Sequence, residues 1–101
     1  MFFRTLEEFL KKEFVNADIV PAREPGKFKE DFLVRDVSSR VGVRGIVKFV
    51  TSFYWGKGFS STGQYGIIHR FSNEEVYYDV SIRPVRKCFA VQVYRHVDGE
   101  L

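Results

Sequence analysis

One cysteine, one methionine, one tryptophan and three prolines in 101 residues leave several architectures without their usual supports. A lone Cys88 forbids an intramolecular disulfide and any cysteine-cluster zinc site, so the fold has to rest on apolar packing. The only two histidines, His69 and His96, have no HxxxH or His–acid spacing around them, and neither a metal nor a cofactor is expected. No stretch nears the about 18 apolar residues that a membrane span needs. The opening MFFRTLEEFLKKEF sets acids and lysines where a signal peptide carries an apolar run. A soluble, cytoplasmic protein with no membrane contact is the expectation. The scarcity of Asn, Gln, Met and Cys also fits a thermophilic source.

Acid is missing too, but only locally. Residues 1–36 hold seven Lys/Arg against eight Asp/Glu, whereas no acid occurs between Asp36 and Glu74. Arg40, Arg44, Lys48, Lys57 and Arg70 fall in that gap together with Phe53, Tyr54, Trp55, Phe59 and Tyr65. Such a mixture of cations and rings is one footprint of a nucleic-acid-binding surface, and equally that of an ordinary basic domain kept soluble by its charge.

Thr5 before Leu6, Glu7 and Glu8 reads as the start of a helix over residues 5–15, with Glu8 reaching back in a capping box and Leu6, Phe9, Leu10 and Phe14 as its core stripe. A short strand over 17–20 stops at Pro21, and residues 22–27 make a turn. Five strands follow, over about 27–37, 41–55, 64–71, 76–83 and 85–97. Ser38 to Arg40 serve as a link, and the tail from Asp98 frays.

The 41–55 segment sets the expectation for the whole sheet. Its odd positions, from Val41 to Trp55, are nearly all apolar, the period of two that a half-buried strand requires. Phe53 and Trp55 share that parity and are expected in the core or as a loop anchor. Residues 56–63, with three glycines, then form a hairpin loop carrying Lys57 and Phe59. The fold class is α+β: one N-terminal helix packed on an antiparallel sheet of about five strands, joined mostly as a meander.

In that arrangement the sheet face away from the helix gathers Arg44, Lys48, Tyr54, Tyr77, Arg83, Arg86, Gln92, Tyr94 and His96. The leading expectation is a small non-enzymatic module for single-stranded DNA or RNA. Arg44, Lys48, Lys57 and Arg86 would meet phosphates, and Tyr54, Phe59 and Tyr94 would stack bases. Two readings compete with it. One is a protein-interaction module, such as a viral or mobile-element inhibitor or adaptor, and the face also suits a homodimer because Ile46 and Val50 sit among its charges. The other is a small ribonuclease that uses His69 and His96 as acid and base. GKGFSSTG is not a phosphate-binding loop, since it has neither G-x-G-x-x-G spacing nor a Gly-Lys-Ser/Thr ending. Lys57-Gly58-Phe59 resembles the opening of an RNA-recognition strand motif, but Ser61 and Thr62 break the pattern, and no family is assigned.

Overall fold

The computed structural model describes residues 3–22, 26–35, 42–86 and 88–97. The expected link at Ser38 to Arg40, Pro25 of the first turn and the tail from Asp98 lie outside the described residues. Among the described residues there are two helices and six strands: α1 Leu6–Glu13, β1 Asp18–Pro21, β2 Glu30–Arg35, α2 Val43–Gly56, β3 Ser60–Tyr65, β4 Ile68–Ser72, β5 Val76–Val85 and β6 Cys88–Val97. The strands form one sheet in the order β1-β2-β6-β5-β4-β3, and every neighbouring pair is antiparallel. The α+β class and the meander therefore hold, with one helix and one strand more than expected.

The extra helix replaces the long central strand. Residues 43–56 are helical, and Ile46, Val50, Phe53 and Tyr54 are its buried positions. Spacings of four, four and three put those side chains on one helical stripe, while Arg44, Lys48, Ser52 and Trp55 form the exposed opposite stripe. Trp55 is 69% exposed and so is neither core nor anchor.

The stretch read as a glycine loop divides in two. Its first half ends the helix in a Schellman motif: the Phe59 amide donates to the Tyr54 carbonyl at 2.9 Å and the Gly58 amide to the Trp55 carbonyl at 3.0 Å. Gly58 supplies the left-handed residue at φ 89°, and the Phe59 ring meets Tyr54 edge-on at 6.3 Å, the apolar contact that accompanies this cap. Its second half is β3. Alanine at Gly58 meets no neighbouring atom, so its cost is the backbone strain alone. Gly58→Ala is expected to lose about 1 kcal/mol in chemical denaturation.

The N-terminal helix starts as its sequence predicts but with an added partner. The Thr5 hydroxyl accepts from the Glu8 amide at 3.2 Å. Glu8 reaches back to the Arg4 amide, one residue before the cap. The amides of Leu6 and Glu7 donate to the two carboxylate oxygens of Glu30 on β2, each at 3.0 Å. A side chain from the sheet thus closes the open end of α1.

Both helices lie on one face of the sheet, α1 near β1 and β2 and α2 against β3 and β5. Between helices and sheet sit Leu6, Leu10, Phe32, Val34, Ile46, Val50, Phe71, Val80, Ile82, Val91 and Val93, each no more than 1% exposed. Tyr54 closes this core, its ring stacked on Phe71 at 4.9 Å and tilted against Tyr78 at 5.1 Å. Among the described residues no helix is long and apolar enough to cross a membrane.

Candidate functional site: the open sheet face

Strand alternation decides what the uncovered face presents. On β5, Val80 and Ile82 point to the helices, so Tyr77, Asp79, Ser81 and Arg83 point away. On β6, Val91 and Val93 point inward, which turns Gln92, Tyr94 and His96 outward. Phe71 fixes β4 in the same way and sends Ile68 and Arg70 to the open face.

The register then lines these residues up in rows. Tyr77 lies opposite His96 and Asp79 opposite Tyr94, while Arg70 is the partner of Asp79 from the other side. A third row runs Ile68, Ser81, Gln92, Asp31 across four strands.

Two of these rows knit into a ladder of flat groups. The Arg70 guanidinium sits 5.2 Å from the Tyr65 ring and 4.2 Å from the Tyr77 ring. Tyr77 stacks on His96 at 4.3 Å with an interplanar angle of 14°, His96 lies 4.3 Å from Tyr94, and Phe28 stands edge-on to Tyr94 at 6.3 Å. Asp79 anchors the ladder by accepting two bonds from Arg70, 2.8 Å from Nε and 3.0 Å from Nη2. That pairing raises the guanidinium pKa further above its ordinary value and keeps Arg70 charged and flat between its two tyrosines.

Beside the ladder the face is notched. Ser81 is small where its neighbours are large, and a cavity of about 300 Å³ opens over it, walled by Ile68 on one side and Tyr94 and Phe28 on the other. Lys27, Asp79, Gln92 and His96 complete the lining. That volume is at the lower end for small-molecule sites and suits one flat heterocycle.

The residues expected to bind nucleic acid do not share one surface. Tyr94 is on the open face. Arg44 and Lys48 lie on the exposed stripe of α2, on the far side of the sheet. Tyr54, 3% exposed, is in the core and has no free face for a base, and Phe59 packs beside it against Tyr78. Lys57 lies over the Phe53 ring and donates to the Arg4 carbonyl, bridging the helices. Arg86 is exposed in the turn between β5 and β6, about 20 Å along the hairpin from Tyr94. Tyr77, Arg83, Gln92 and His96 do fall on the expected face. Arg70 and Ile68 join that face as well, which sequence alone does not show because the adjacent Ile67 and Ile68 leave the parity of β4 ambiguous until the tight turn at Gly66 (φ 62°) is placed between them and Tyr65.

The two histidines cannot act together. His69 pairs with the inward Val80 and His96 with the outward Tyr77, so the sheet separates the rings. Partial burial lowers the pKa of His69. Among the described residues no group of three or more His, Cys, Asp and Glu could hold a metal ion.

No protein-family model matches the chain, and neither a curated protein nor a solved structure is found to resemble it.

Proposed function

We propose that this protein binds single-stranded nucleic acid on its open sheet face. The observation that carries the reading is the aromatic and guanidinium ladder from Tyr65 to Phe28, lying uncovered beside a notch the size of one base. Rings standing face to face across strands use most of their stacking surface on one another. A base is therefore received at the end of the ladder, against Tyr94 and Phe28, and not between its members. Lys27 lines the notch, and Arg83 is the next outward residue after Ser81. Both are placed for the phosphates that flank an inserted base.

Fluorescence anisotropy with a labelled oligo-dT tests this. Tyr94→Ala is expected to weaken binding about tenfold, within the 1–3 kcal/mol of a base–aromatic stack. Lys27→Ala and Arg83→Ala are each expected to lower the slope of log affinity against log salt by about 0.7, the value for one phosphate contact on a single strand. Arg44→Ala/Lys48→Ala, on the far side of the sheet, is expected to leave affinity within about twofold. Loss of binding in that pair with none in Tyr94→Ala would move the interface to α2.

A further inference from the structure

We infer that the notch over Ser81 selects guanine; this rests on the single-strand reading and specifies which base the open face takes. Two neighbouring polar groups at the cavity, Asp79 and Gln92, can accept hydrogen bonds. Asp79 brings a carboxylate whose charge is balanced by Arg70, and each of its oxygens retains capacity for a further bond. Gln92 donates from its amide nitrogen to Asp31 at 3.4 Å, which leaves its carbonyl oxygen available to accept a bond.

Asp79 and Gln92 are diagonal neighbours on the β5–β6 hairpin, close enough for one ligand edge to span both. Among the bases, only guanine presents two adjacent donors, N1–H and the 2-amino group, on one edge. Adenine and cytosine set a ring-nitrogen acceptor beside their amino group, and thymine flanks its one N–H with carbonyls. Each of these would turn a lone pair toward the carboxylate or the amide oxygen, which costs the unpaired-acceptor penalty. The Ser81 hydroxyl and the Lys27 ammonium line the same cavity and can donate to guanine O6. The apolar walls fit the faces of the ring: Ile68 covers one side and Tyr94 with Phe28 the other.

The discriminating experiment compares labelled oligo-dT with the same strand carrying one central dG, dA or deoxyinosine, and adds a titration with free GMP followed by tyrosine fluorescence. The dG strand is expected to bind about tenfold tighter than the dA strand, as for a paired-donor contact to one base. Deoxyinosine, which lacks the 2-amino group, should fall between them. Ser81→Trp, which fills the notch, and Gln92→Leu, which removes an acceptor, are each expected to bring the dG-to-dA ratio to about one.

Strands that bind with no dG preference overturn the guanine assignment and leave single-strand binding standing. GMP that binds when no strand does keeps the guanine site and overturns the strand reading. Failure of both strands and GMP removes the two together.

Discussion

Tyr54→Ala is expected to remove about 3–5 kcal/mol of stability, the range for truncating a large buried aromatic. For a domain of this size that is a large part of the total, so the variant should melt near or below room temperature. The ring is in contact with Phe53, Phe71, Tyr78 and Phe59 at once, and the Tyr54 carbonyl also accepts the bond that closes the α2 cap. Burial, and after it the nearby Glu30 carboxylate, pushes the phenol pKa upward, so the hydroxyl is neutral at neutral pH. Denaturant unfolding followed by far-UV circular dichroism reads the effect. A variant that folds with near wild-type stability but binds poorly would mean that the ring serves a ligand and not the core.

The second large effect belongs to Glu30. Its carboxylate is the acceptor for two amides at the start of α1, and Glu30→Ala leaves both partly buried donors without a partner. A loss of about 2 kcal/mol is expected from two charge-assisted bonds offset by the relief of carboxylate burial. Glu30 also gives stability a particular pH dependence. Burial raises its pKa above the ordinary 4.5, more than the two amide bonds lower it. The folded state therefore holds the proton more tightly than the unfolded chain does. The resulting contribution to stability is full below pH 4.5 and is lost as pH rises through the raised value. Compared with Glu30→Gln, which has no such titration, the wild type should lose ground as pH rises from below 4.5 through the raised value. A stability difference that is flat across that interval would contradict the assignment.

How much of this was readable beforehand depends on which spacing a residue happened to occupy. The β5–β6 hairpin was legible because Val76, Tyr78, Val80 and Ile82 alternate with polar partners, and alternation over that length has one reading. Tyr77, Gln92, Tyr94 and His96 were placed on the open face for that reason. The α2 segment was misread because a spacing of four is a multiple of two. Arg44, Lys48 and Ser52 share one parity as strand residues and one stripe as helix residues, and β-branched and aromatic side chains then favoured the strand. Ile46, Val50 and Tyr54 are the discriminating residues, being apolar on the polar parity, and fifteen residues is long for a strand but ordinary for a helix. Once α2 is a helix, Lys57-Gly58 becomes its cap, and the expected binding loop ceases to exist. Arg70, Tyr65 and Phe28 could not be grouped with Tyr77 from sequence at all, since only the strand register brings them into one line.

The place of β6 in the sheet has a bearing on synthesis. It pairs with β2 on one side and β5 on the other, and it is the last element of the described chain to leave a ribosome. Asp31 and Gln92, joined across β2 and β6, are 61 residues apart. The helix α1 and the strands β1 and β2 therefore cannot join the strands β3 to β5 until the final strand arrives. The β1–β2 hairpin and the meander from β3 to β5 can each assemble while translation continues, but as separate pieces. Closure of that long loop makes the last step slow relative to the hairpins, and during the wait the inward faces of β2 and α1, with Phe32, Val34, Leu6 and Leu10, stay open to whatever else the nascent chain meets.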